Sequence, residues 1–383
     1  MGKLLNIIAS ETEGKSYSSH KYCFEEYDSP DRVNDDNSSF NPKKYGESDG
    51  LKTSKDVKRL ADSISGKSPL FKYFLDGSRR TYKIDDIAYD KRIYPVIAGQ
   101  IAVGCCFRGS PDSFKVNNFA HRLLVVLPDV ADKDGHGKAF FKRLRELANE
   151  KSDIKRLDVE LSDILTYRDE KNAKYEDLAI AKIHDEMIDL EKRFVVEMTR
   201  KNLLNLDSYL IKDGSIEYQK MKYGNFRDLS MIKSSYCRVV GVSKRFDPEF
   251  CIDANGKSNA AKIAELPLYH RTPAYMFESK RSSGEEGPVY LSAWYLRIRE
   301  SKYTVSPFDG ILKVEKIIVT DDELENGLDS GEVDLISANI INERNPVCYG
   351  KDARWANHLY PVYLTESFIK SRYLSDSLFL NIF

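Results

Sequence analysis

Two aspartates of this chain stand at matching places. Asp76 follows the run Phe71-Lys-Tyr-Phe-Leu, Asp213 follows Ser208-Tyr-Leu-Ile-Lys, and both are succeeded by Gly-Ser. The runs are β-prone and glycine breaks them, so each reads as a strand that ends by delivering a carboxylate. Acids gathered from distant strands are what a divalent-metal hydrolase needs. Mg2+ and Mn2+ take hard oxygen ligands, and one carboxylate cannot hold two such ions. Asp-Gly is equally a strong tight-hairpin signal. Further Asp-Gly pairs at Asp49, Asp134 and Asp309 mean that the dipeptide alone decides nothing.

A third acid comes from a helical pattern. Ile183, Met187, Leu190, Phe194 and Met198 recur at spacings of three and four, and Ile188 and Val195 widen the same face. At about 100° per residue Glu191 falls inside that apolar arc, Glu186 points away and Glu197 lies beyond its edge. A carboxylate on a buried face is costly to keep charged unless a cation or a donor compensates it. It is therefore either a metal ligand or one half of a salt bridge to a core Arg or Lys.

Three further positions carry chemistry. Glu315, in Lys-Val-Glu315-Lys, shares a strand face with Lys313 and Ile311, where its local alternative is an ion pair. Lys244 and Arg245 end the strand-like Val239-Val-Gly-Val-Ser, a place where phosphate would be held or a loop simply solvated. His358 and His270 are single histidines, either metal ligands or acids, or ordinary structural residues.

These residues need elements to position them. Strands are expected at 71–75, 93–107 and 121–127 as an antiparallel meander, then at 208–212, 237–242, 289–298 and 311–319. Helices are expected at 54–65, capped by Ser54, and at 137–149, 173–204, 226–234 and 361–372. Residues 10–55 are polar, so 1–69 reads as an N-terminal extension with a short helix and 70–383 as the main domain. Strands first, then strands interleaved with helices, imply a mixed α/β sheet.

Bulk properties narrow the class. The 383 residues suffice for one large or two ordinary domains. The 59 basic and 60 acidic residues cancel, so contact with nucleic acid requires a local basic patch or a partner. No run approaches the roughly 18 apolar residues of a membrane span. The N-terminus resembles neither a signal peptide nor a myristoylation site. Six scattered cysteines without a CxxC pair fit reduced thiols and a cytoplasmic location. There is no GxxxxGK[ST], GxSxG or GxGxxG in a suitable setting, which excludes a P-loop ATPase and an α/β-hydrolase by motif.

The order of the pieces resembles the NurA nucleases. These pieces are strand-Asp-Gly-Ser, a helix with Leu190-Glu191, a second strand-Asp-Gly, Val-Gly-Val-Ser-Lys244, Lys-Val-Glu315 and Tyr360-Pro-Val-Tyr-Leu, spanning roughly residues 70–375. The resemblance implies an RNase H-like fold and a Mn2+- or Mg2+-dependent DNase. It also implies a homodimer that works with a HerA-type hexameric translocase ATPase in DNA end processing or phage defence. By it Asp76, Glu191, Asp213 and Glu315 would be metal ligands, with Glu197 in reserve for Glu191. Lys244 would face the phosphate. The family tends to place a histidine where Ser367 and Phe368 stand here, which leaves His358 as the residue to replace it.

A reading from another class is a catalytically weak DNA-binding adaptor that docks on an ATPase ring. The apolar Ser377-Leu-Phe-Leu-Asn-Ile-Phe383 is then a docking candidate, although the same residues would suit the protein's own core. Convergence of the acids in space separates the two readings.

Overall fold

A computed structural model describes residues 3–24, 42–110, 113–151, 154, 159–170, 173–217, 229–247, 251, 257–279, 283, 287–348 and 354–383. The expected helix at 226–234 and the extension at 10–55 lie partly outside these residues.

Fourteen strands among the described residues form one sheet. Four short strands come first: β1 (Lys15–Ser16), β2 (Tyr22–Cys23), β3 (Pro42–Tyr45) and β4 (Lys55–Asp56). Three long ones follow: β5 (Phe71–Tyr89), β6 (Arg92–Ser110) and β7 (Ser113–Pro128). Then come β8 (Leu161–Tyr167), β9 (Tyr209–Asp213), β10 (Val239–Ser243) and β11 (His270–Arg271). The last three are β12 (Tyr275–Glu278), β13 (Tyr290–Arg297) and β14 (Ile311–Ile317). The main path runs β3-β12-β13-β14-β10-β9-β5-β6-β7-β8.

Its centre decides the fold. β5, β6 and β7 form an antiparallel meander, β9 pairs parallel to β5, and β10 pairs parallel to β9. Counted from β5 and without β8, the central order is 3-2-1-4-5, which is an RNase H-like sheet. A parallel neighbour needs a crossover, and the helix Tyr175–Arg200 supplies the one that leads to β9.

Ten helices accompany the sheet among the described residues. The first four are α1 (Lys3–Glu11), α2 (Lys58–Ile64), α3 (Lys138–Lys151) and α4 (Tyr175–Arg200). Next are α5 (Leu229–Tyr236), α6 (Ala260–Ala264) and α7 (Asp321–Asn326). The chain closes with α8 (Ser330–Asn342), α9 (Tyr360–Lys370) and α10 (Asp376–Ile382).

The two faces bury separate cores. On one face α4 sets Ile183, Met187, Leu190 and Phe194 against Leu75, Ile97, Ile101 and Leu210. On the other, Phe74, Ile211, Val242 and Val314 meet Ile336 and Ile340 of α8 and Val362 of α9. α9 then continues over β5 and β6. Burial of this kind stabilises by roughly 25 cal/mol per Å2 of apolar surface removed from water.

Three expectations are corrected. β5 does not stop after Leu75 but runs on to Tyr89, paired with β6 as far as Tyr89↔Arg92. Gly77 is absent from the positive-φ glycines, which include Gly50, Gly135, Gly214 and Gly310 of the other four Asp-Gly pairs. An extended glycine does not end a strand when β-prone residues such as Thr81, Tyr82 and Ile84 follow it. Ser54 does not cap α2, which begins after Val57 because Lys55 and Asp56 are taken by β4. The C-terminal segment is core: Phe379, Ile382 and Phe383 are buried, and Phe379 stacks on Tyr82 at 4.1 Å. Described parts of residues 1–69 also pack with the sheet. Leu4, Leu5 and Ile8 of α1 join the main core, and β1 and β2 pair with β5.

Candidate metal centre

Asp76 and Asp213 come together because β5 and β9 are parallel neighbours in register, with Leu75 opposite Lys212. The next residue of each strand therefore lies side by side on the same face. Asp213 ends β9, and Gly214 turns the chain at φ 84°.

A third carboxylate arrives from α9. Oxygens of Asp76, Asp213 and Glu366 all lie within 4.8 Å of one another. Glycine again permits the approach. Gly104 faces Asp76 across the β5–β6 pair, and a Cβ there would come within 2.8 Å of Ile369 Cγ1. The bare backbone at Gly104 thus lets α9 settle on the sheet with Glu366 one turn before Ile369.

Lys244 closes the group. Its Nζ lies 2.8 Å from Asp213 Oδ2 and 3.2 Å from Glu366 Oε2, and the residue is buried. Its backbone is held in turn: Asn357 Nδ2 donates to Lys244 O at 2.8 Å and to Ile311 O at 2.8 Å. Glu366 also meets Lys370 Nζ at 2.6 Å and Arg354 Nη2 at 3.6 Å. Asp76, only 6 % exposed, makes no hydrogen bond or ion pair among the described residues.

The electrostatics follow from that asymmetry. Burial first, then Asp213, Glu366 and Glu191, hold the Asp76 carboxyl well above the usual carboxylate range, and Lys244 offsets only part of this. Burial works against the charge on Lys244, but Asp213, Glu366 and Asp76 overrule it and keep the ammonium protonated beyond the usual range. Burial also acts against Glu366, yet Lys244, Lys370 and Arg354 bring its carboxyl down to about 2. One acid is therefore starved of cations while its neighbours are supplied.

The other expected residues lie elsewhere. Glu191 is buried on the α4 side of the sheet, with Oε2 3.3 Å from Lys212 Nζ, so a salt bridge to a core lysine is present. It remains next to the group, because a Cβ on Gly77 would collide with Glu191 Oε1. Glu197 pairs with Lys201 on an exposed surface. Glu315 is not brought to the three acids. It lies in register with Gly241, whose neighbour Val242 pairs with Asp213, so its side chain projects from the opposite face. There Lys313 Nζ binds it at 2.8 Å. His358 is buried beside Tyr363, with ring centroids 5.6 Å apart, and is not one of the three clustered groups. His270 sits in β11, paired to β4.

Glu366 is the residue that pattern reading passed over. It stands one position before Ser367, where a histidine was sought. It lies four residues after Val362 and three before Ile369, both buried in α9. The periodicity that singled out Glu191 would have found it.

No protein-family model and no curated protein matches this chain. Among solved structures it is similar to the NurA nuclease from Sulfolobus solfataricus, with TM-score 0.40, 10% identity and 78% of each chain covered. At that level of likeness, what this chain does is decided by its own side chains.

Proposed function

We propose that this chain is a metal-dependent deoxyribonuclease whose centre is Asp76, Asp213 and Glu366. One observation carries the reading: a buried Asp76 carboxylate with no hydrogen bond or ion pair among the described residues, facing two further carboxylates at a junction of parallel strands. Three hard oxygen donors suit Mg2+ or Mn2+, and a carboxyl raised by burial and like charge is what such an ion would relieve. When bound, the ion supplies charge neutralisation for a phosphodiester and eases formation of hydroxide from water.

The chain's own groups divide the remaining work. Asp76, Asp213 and Glu366 hold and orient the ion. Glu191, from across Gly77, adds negative potential at Asp76. Lys244, once drawn away from Asp213 and Glu366, offers a full positive charge to the scissile phosphate in a site shielded from water. DNA as substrate, a homodimeric state and a cytoplasmic place are parts of the same reading. DNA and the dimer are what the ordered motifs imply by their resemblance to the NurA nucleases, and the cytoplasmic place rests on six cysteines without a CxxC pair. A HerA-type hexameric ATPase suits a chain whose charges cancel, because few phosphates can be neutralised by the protein alone.

A second reading is a catalytically weak adaptor on such a ring. It is favoured by Lys244, whose ammonium bridges two of the three acids. Cleavage of labelled DNA in Mn2+ and in chelator, with and without the ATPase ring, separates the two. The nuclease reading expects metal-dependent cutting that Asp213→Asn abolishes and the ring enhances. Absence of cutting under every condition, with the ring present, would overturn the nuclease reading, and co-elution with the ring would then support the adaptor.

A further inference from the structure

Glu315 is a fully buried acid of the sheet, with 0 % exposure, yet it lies on the face away from the three clustered carboxylates. Its contacts show what it holds. Ser215 Oγ donates to Glu315 Oε2 at 2.7 Å, and the Ile216 backbone N–H donates to the same oxygen at 3.0 Å. Lys313 Nζ binds the other oxygen at 2.8 Å. Those contacts hold its carboxyl below the usual range in spite of its burial.

Ser215 and Ile216 follow Asp213 across the single residue Gly214. Glu315 sits on β14, two strands from β9, so the chain must cross β10 to reach it. It crosses at Gly241, which is in register with both Lys212 and Glu315. A Cβ at Gly241 would stand 2.9 Å from Ile216 Cγ2, 3.0 Å from Gly214 O and 3.1 Å from Ile216 N. Only glycine lets the 214–216 segment lie flat there. Two more ties complete the clamp: Gly214 N–H donates to Val242 O at 2.9 Å, and Lys212 Nζ to Ser215 O at 3.0 Å.

We infer that Glu315 is a positioning residue. Through Ser215, Ile216 and the gap at Gly241 it fixes the turn that aims the Asp213 carboxylate at Asp76 and Glu366. The inference rests on the metal-centre reading and deepens it. Burying an anion costs several kcal/mol before its partners repay it, and an apolar side chain would serve packing alone at least as well. A carboxylate is needed because it accepts from a hydroxyl and an amide at one oxygen while a lysine anchors the other. Residues that orient a metal ligand in this way typically contribute 10–100-fold to metal affinity.

The test is Mn2+ affinity of the full chain, measured by titration calorimetry, alongside circular dichroism and thermal melts. Ser215→Ala and Gly241→Ala loosen the clamp without removing a charge, and Glu315→Gln keeps an acceptor for Ser215 and Ile216. We expect folded variants in which Gly241→Ala and Ser215→Ala weaken Mn2+ binding about tenfold or more. Glu315→Gln should stay closer to wild type than Glu315→Leu. Folded Ser215→Ala and Gly241→Ala proteins with wild-type Mn2+ affinity would overturn the positioning role even if their melting temperatures fall. Failure of the wild-type protein to bind Mn2+ would instead overturn the metal-centre reading, so the two failures are distinguishable.

Discussion

Replacing Asp76 with Asn should make the metal-free protein more stable and the metal-bound protein impossible to form. Asp76 is buried, has no hydrogen bond among the described residues, and shares its surroundings with Asp213 and Glu366. A buried polar group left without a partner costs about 1–3 kcal/mol, and more when charged. Asparagine keeps the shape and the unpaired polar group but removes the charge and its repulsion by Asp213 and Glu366, so a gain of about 1 kcal/mol or more at pH 8 in chelator is expected. The sign with pH follows from linkage. The folded pKa of Asp76 lies above its unfolded value, so the native state binds this proton more tightly. Its penalty is absent below about pH 4, grows as pH rises through the raised pKa, and is complete above it. The advantage of Asp76→Asn over wild type should therefore shrink towards pH 4. A change of 1 kcal/mol shifts Tm by about 2–4 °C in domains of 150–250 residues and by less in a longer chain. Scanning calorimetry resolves this. Saturating Mn2+ should raise the wild-type Tm, since ligand at 100 times its Kd contributes about 2.7 kcal/mol, and should leave Asp76→Asn unmoved. A lower Tm for Asp76→Asn in chelator, or an undiminished Mn2+ shift, would refute the reasoning.

Three other perturbations follow from the same contacts. Lys244→Met leaves Asp213 and Glu366 without their shared cation, so the metal-free protein should lose about 3–5 kcal/mol; Mn2+ should then restore a larger part of its melting temperature than it adds to wild type. Glu366 has its carboxyl lowered to about 2, so its stabilisation is complete above about pH 4.5 and is lost as pH falls towards 2. Acid titration of Glu366→Gln should show a shallower decline across that window. Phe379 is fully buried on Tyr82, so Phe379→Ala should cost about 3–5 kcal/mol in denaturant unfolding, as a docking residue would not.

Much of the architecture was legible in the residues. The recurrence of Ile183, Met187, Leu190 and Phe194 marked α4, and the β-prone runs before Asp76 and Asp213 marked two strands that prove to be parallel neighbours. Other features depend on contacts between residues far apart in the chain. Nothing local to Asp76-Gly77 distinguishes an extended glycine from a turning one, so β5 was expected to end where it continues. Glu191 satisfied the criterion of an acid among apolar neighbours and Glu315 shared a strand face with a lysine, but neither pattern can tell a ligand from half of a buried pair. Lys212 and Lys313 come to face these acids only once the sheet has formed. Glu366 met the same criterion and was overshadowed by the search for a histidine beside it. Its place beside Asp76 emerges only where α9 settles on β6 at Gly104, opposite Asp76.

The most direct test is a crystal structure of the protein soaked in Mn2+, with anomalous scattering recorded near the manganese edge. Asp76, Asp213 and Glu366 should each contribute an oxygen to an anomalous peak at roughly 2.0–2.2 Å, with the Lys244 ammonium moved away from Asp213. An anomalous peak bound by other residues, or none at a concentration that supports cleavage, would contradict the assignment of this centre.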